Sequence, residues 1–117
     1  MKSRPLAPDT NKNTCPVTYS LSVIGGKWKP VILFCIANGV DRFGAMQRAV
    51  PGVTKQMLTK QLRELEGDGL ITRTVFAEVP PRVDYALTEV GMSVLPVIEK
   101  MADWGKANMK EHSLAAT

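Results

Sequence analysis

The chain has 117 residues, 44% hydrophobic and 22% charged, the balance of one globular domain and not of a disordered polymer. Its 15 Lys and Arg against 11 Asp and Glu leave a net charge of +4, which suits an acidic partner such as nucleic acid. No apolar run approaches the about 20 residues of a membrane span, residues 1–13 lack the apolar stretch of a secretory signal, and Cys15 and Cys35 alone make no disulfide framework. A cytoplasmic, reducing setting away from membranes is therefore expected.

In chain order, residues 1–14 read as a flexible arm, followed by a single domain over 15–110 and a flexible tail over 111–117. Val17 to Ile24 predicts a short helix stopped by Gly25-Gly26. Lys29 to Ala37 predicts a second helix, with Pro30 in its first turn and an apolar surface nearly all round, as befits the centre of the core. Phe43 to Val50 predicts a third helix, with Asp41 placed to assist its start and Gly44 as a weak position. Pro51-Gly52 is a turn. Thr54 to Glu66 predicts an amphipathic helix capped by Thr54, with Leu58, Leu62 and Leu65 on one inward stripe. Leu70 to Ala77 and the alternation Val83, Tyr85, Leu87 predict a β-hairpin whose tip is the stiff segment from Glu78 to Arg82. Thr88 caps a last helix to about Lys110, which Pro96 should kink or delay.

Charge is unevenly spread. Residues 1–30 set Lys2, Arg4, Lys12, Lys27 and Lys29 against Asp9 alone, whereas residues 83–117 set Lys100, Lys106 and Lys110 against five acids. An anionic partner is expected at the first two thirds of the chain.

A short helix, a turn, an amphipathic helix and a hairpin are the parts of a winged helix-turn-helix, whose second helix enters the major groove of DNA. That groove is about 12 Å wide and admits one helix. The helix over 54–66 has the required apolar back and polar front. Thr54, Lys55, Gln56, Thr59, Lys60 and Arg63 are the candidate groove residues, because Gln matches adenine and Lys matches guanine. Arg82, beside two prolines, is expected to stand out at the wing tip and enter a minor groove, and Arg42 to meet a phosphate. The bland alternative is a surface helix with solvated charges, and a protein-binding winged helix is the competing use.

Four segments carry a family resemblance: GGKW at 25–28, LTKQLRELE at 58–66, DGLITR at 68–73 and EVPPRVDYALTEVG at 78–91. Through them the chain resembles the HxlR-type, MarR-like regulators of bacterial transcription, from about Cys15 to Trp104. The resemblance implies an α+β, mostly helical fold: a three-helix core with a β-hairpin wing, flanked by terminal dimerisation helices. It also implies a homodimer on an operator in double-stranded DNA, usually as a repressor, with a redox or small-molecule effector in some members. Cys15 occupies the position that serves some members as a sensor thiol.

Read from the residues themselves, a sensor thiol needs access and a lowered pKa, which Lys12, Lys27 or the first helix's N-terminus can supply to Cys15; the alternative is an inert thiol. Cys35 is expected in the core. Val94, Ile98, Met101 and Trp104 of the last helix, joined by Tyr19, Leu21 and Ile24 of the first, are candidate dimer-interface residues, the alternative being packing within one chain. No cofactor, metal or enzymatic activity is expected, since the one histidine, His112, lies in the tail and no Cys/His spacing suits a metal. A thiol peroxidase built on Cys15 is the strongest enzymatic alternative.

Overall fold

A computed structural model describes residues 15–116, with side chains through residue 109. The expected arm over 1–14 lies outside the described residues. Six helices and one hairpin follow in chain order: α1 (Pro16–Ile24), α2 (Lys29–Ala37), α3 (Phe43–Ala49), α4 (Lys55–Gly67), β1 (Ile71–Phe76), β2 (Arg82–Leu87), α5 (Glu89–Ser93) and α6 (Leu95–Ala116). The two strands pair antiparallel, from Ile71 opposite Leu87 to Phe76 opposite Arg82. This is the expected mostly helical, winged helix-turn-helix arrangement.

The core lies where the hydrophobic periodicity puts it. Ile32, Leu33 and Ile36 of α2, Met46 of α3, and Leu58, Leu62 and Leu65 of α4 are buried together with Leu70 and Ile71 at the hairpin root. On α4 the three leucines recur at helical spacing, so one stripe packs inward and the remaining faces stay in water. Thr54 caps this helix, its hydroxyl oxygen accepting from the Met57 N–H at 3.0 Å. Gly69 adopts φ +81°, a left-handed conformation that costs glycine little, and the chain turns there from α4 into the hairpin.

Several expectations need correction. Asp41 does not cap α3: the residue at the cap is Arg42, with no side-chain hydrogen bond to the helix. Instead, the Asp41 carbonyl accepts from the Tyr85 N–H at 3.0 Å, tying the start of α3 to β2. The last helix is divided at Val94 into α5 and α6, because Pro96 lacks the N–H that a continuous helix would use. The α6 backbone continues to Ala116. Ile24 and Ile98, grouped by sequence with the dimer face, are 5% and 6% exposed and belong to the core of their own chain.

A contact not signalled by periodicity fixes α5. The Thr88 hydroxyl donates to the Gly69 carbonyl at 2.6 Å and accepts from the Gly91 N–H at 3.0 Å. Gly91 lies so close to the Leu70 carbonyl that a Cβ at this position would collide with it. The α5–α6 unit is thereby seated on the hairpin root, and through it on the end of α4.

Candidate nucleic-acid interface

Helix α4 presents Lys55, Gln56, Lys60 and Arg63 on its exposed face. These four share a shallow surface depression with Thr59 and Glu64. Two of the predicted groove residues have hydroxyls already engaged: Thr54 in the cap, and Thr59, which is half-buried and donates to the Lys55 carbonyl at 2.8 Å. The face that remains for direct contact is one amide and three cations.

Glu64, on the same helix, is compensated. Its Oε1 is 2.7 Å from the Nζ of Lys29 and its Oε2 is 3.5 Å from the Nζ of Lys60. The Lys29 hydrogen bond and charge, with Lys60 adding less, hold the Glu64 carboxyl below its ordinary range. Lys29 is 8% exposed, so the pair ties α2 to the flank of α4 while removing a negative charge from a face that would otherwise repel phosphate. Sequence reasoning missed this pair. The partners lie on separate helices, and their only mark in the sequence is a lysine at the start of an otherwise apolar helix.

At the hairpin, the structure departs from the expected outstretched arginine. Arg82 occupies the first position of β2 and folds back over the Phe76 ring, 4.1 Å from its centroid. Its guanidinium lies 3.3 Å from both Glu78 and Asp84. Arg42 reaches the same Asp84 carboxylate at 3.2 Å. The two arginines thus form a bracket around Asp84 on the half of the hairpin nearer its tip, and the tip over 77–81 carries no cation.

Cys15 is the N-cap of α1 and is half-buried. Its Sγ lies 3.2 Å from the Thr18 hydroxyl and accepts from the Thr18 N–H at 3.4 Å. These bonds, the hydroxyl first, lower the thiol below its ordinary value because they favour the thiolate. The helix start is thus the cause among the sources considered. Lys27 is not a contributor and stacks on Trp28 at 4.9 Å, while Lys12 lies outside the described residues. Burial acts oppositely on Cys35, raising its thiol.

The terminal helices leave several large apolar side chains open to solvent. Tyr19 and Leu21 of α1 and Met101 and Trp104 of α6 are exposed, Trp104 at 71%. Val94 packs partly against the core, and with Tyr19, Val23, Val90 and Val97 it lines a groove of about 190 Å³ between α1 and the α5–α6 unit. Among the described residues, no single helix is long and apolar enough to cross a membrane.

Comparison with known proteins agrees with this geometry. The HxlR-like helix-turn-helix family profile matches residues 23–113. The uncharacterized HTH-type transcriptional regulator YybR of Bacillus subtilis (strain 168) is 47% identical over 98 residues, covering 84% of this chain and 78% of its own. The solved structure of the redox regulator HypR in its oxidized form has a TM-score of 0.76 and 47% identity, covering 80% of this chain and 97% of that one. HypR in its reduced form also gives a TM-score of 0.76, at 43% identity over 87% of this chain and 99% of that one. With a matching profile over most of its length, a leucine-backed basic helix and a hairpin beside it, the chain belongs to the HxlR-like helix-turn-helix family of transcriptional regulators.

Proposed function

We propose that the protein acts as a homodimeric repressor on an inverted-repeat operator. The observation that carries this reading is the division of labour between two faces: α4 turns Lys55, Gln56, Lys60 and Arg63 to solvent, and α1 and α6 turn Tyr19, Leu21, Met101 and Trp104 to solvent elsewhere. An exposed apolar face of this kind favours a partner, and a second copy packed about a two-fold axis covers it with itself. Two recognition helices then meet half-sites about 34 Å apart on one side of the duplex. Gln56 and Lys55, near the N-terminus of α4, read bases; Lys60 and Arg63 reach base edges or phosphates; Thr54 and Thr59 shape the helix that presents them. Arg42 and Arg82 serve the flanking backbone from beside the tip-ward half of the hairpin.

Regulation acts at Cys15. Its thiolate takes an oxygen from a hydroperoxide, the O–O bond breaks, and sulfenic acid and an alcohol result. A second thiol, from the partner chain, then forms a disulfide and releases water. Because Cys15 caps α1, its oxidation changes the helix that borders the dimer groove and so the separation of the two recognition helices. The HypR likeness supports a redox response, as does the lowered Cys15 thiol; a small molecule lodged in the same groove is the other effector this surface suits.

Selection of bound sequences from random duplexes tests the reading. It should return an inverted repeat with centres about one helical turn apart; recovery of no shared sequence refutes it. A Cys15→Ser variant should hold its operator in the presence of a hydroperoxide that releases the wild type. Equal release of both removes Cys15 as the trigger.

A further inference from the structure

A second cleft lies on the side of α4 that faces the hairpin and shares only Thr59 and Arg63 with the base-reading face. It measures about 550 Å³ and lies between the C-terminal half of α4 and the two strands. Thr59, Arg63 and Glu66 line it from α4, Arg73 from β1 and Tyr85 from β2, with Phe43 on its apolar side. Arg73 and Tyr85 are direct cross-strand partners, so their side chains leave the same face of the hairpin side by side. Two residues toward the root on that face stand Ile71 and Leu87, the former buried in the core. The hairpin's inner face therefore runs from the hydrophobic core straight into this polar cleft.

Its charge is unbalanced toward cations. Arg73 lies 3.7 Å from Glu66, with both side chains nearly half exposed, a contact of little strength. Arg63 makes no ion pair among the described residues. Two guanidiniums thus share one carboxylate. Burial, with Glu66 adding to it and Arg73 and Arg63 opposing, raises the Tyr85 phenol above its ordinary value. The hydroxyl keeps its proton at neutral pH and is available to donate.

Groove geometry says what crosses here. When a helix lies in the major groove and its hairpin reaches toward the adjacent minor groove, the strand separating the two grooves runs between helix and hairpin. In this protein that passage is the cleft. We propose that the cleft seats one phosphate of that strand, gripped by the guanidiniums of Arg63 and Arg73 and by the Tyr85 hydroxyl. Glu66 holds Arg73 in the unbound protein and is displaced by the phosphate. Arginine forks suit phosphate oxygens, and a weak exposed pair costs little to exchange. The assignment rests on the DNA-binding reading of α4 and adds to it three residues with a sequence-independent role: Arg73, Tyr85 and Glu66.

The test titrates the full chain and its Arg73→Gln, Tyr85→Phe and Glu66→Gln variants with the selected operator and with an unrelated duplex, over a range of salt. A phosphate contact weakens binding to all sequences alike and reduces the salt dependence. Arg73→Gln should lose about tenfold on both duplexes, and its log–log salt slope should fall by about 0.9 for each cleft engaged. Tyr85→Phe should lose affinity with the slope unchanged. Glu66→Gln should bind more tightly, a gain that misfolding cannot produce. Ethylating the duplex one phosphate at a time should reveal a position that blocks the wild type and no longer affects Arg73→Gln. Wild-type affinity in Arg73→Gln, a loss confined to the operator, or an unchanged ethylation pattern overturns the phosphate seat while leaving the α4 reading intact. Inorganic phosphate that binds the wild type but not Arg73→Gln, and at constant ionic strength leaves the duplex bound, makes the free ion the occupant and overturns the strand assignment. Failure of the wild type to bind any duplex refutes the DNA reading itself.

Discussion

The same substitution at two glycines should move stability in opposite directions. At Gly91 a Cβ would strike the Leu70 backbone carbonyl, while at Gly44 it would meet only the Arg48 guanidinium at 3.5 Å, ordinary van der Waals contact. Both glycines lie in helices, where replacement by alanine gains up to about 1 kcal/mol from propensity and backbone entropy. Gly44→Ala should keep this gain, because a flexible side chain can yield. Gly91→Ala must instead push α5 away from the hairpin root, and overpacking against fixed backbone costs about 1–3 kcal/mol. It also strains the Thr88 bonds to Gly69 and Gly91, each worth about 1 kcal/mol. The net expectation is a loss of about 1–2 kcal/mol for Gly91→Ala and a gain of up to about 1 kcal/mol for Gly44→Ala. Urea unfolding reads both as shifts of midpoint at constant slope. Equal or greater stability in Gly91→Ala would refute the claim that this contact seats the α5–α6 unit. It would also remove the rigid link between the proposed dimer face and α4.

Two further expectations concern α4 itself. Glu64 titrates below its ordinary value of 4.5 because of Lys29, so its ion pair contributes fully above that value and is lost as pH falls through the lowered one. Glu64→Gln should therefore be less stable than wild type at neutral pH, with the difference closing in acid; a difference that persists unchanged at acid pH would contradict the assignment. Thr54→Ala should cost about 1 kcal/mol through loss of the cap and speed amide exchange in the first turn of α4. Exchange rates equal to wild type would show that the cap does not order the N-terminal end of α4.

Sequence made the framework legible wherever one local pattern decided the outcome. The leucine stripe of α4, its Thr54 cap and the alternation of the hairpin are each set by residues within a few positions of one another, and each stands where it was expected. Pro96 announced an interruption, and the chain breaks at Val94. Outcomes depending on distant partners were not legible. Lys29 finds Glu64 only after α2 packs on α4. Arg82 looked free because proline neighbours stiffen the tip, but Phe76, Glu78 and Asp84 converge on it once the strands pair. Asp41 looked like a cap, yet the residue at the cap is Arg42, and the Asp41 carbonyl is drawn to β2. Ile24 and Ile98 share the periodicity of the exposed apolar residues on their helices, and only packing separates those facing inward from Tyr19, Leu21, Met101 and Trp104. The cleft of Arg63, Arg73 and Tyr85 joins three elements and leaves no spacing to find.

The central claim is that the outer face of α4 grips a duplex. Its most direct measurement is the affinity of a folded Lys60→Ala/Arg63→Ala variant for the selected operator across a salt series. The account predicts a loss of at least about tenfold and a salt slope flatter by up to about 3.6, from 0.9 for each of four cations in a dimer. Affinity and slope equal to those of the wild type would contradict it.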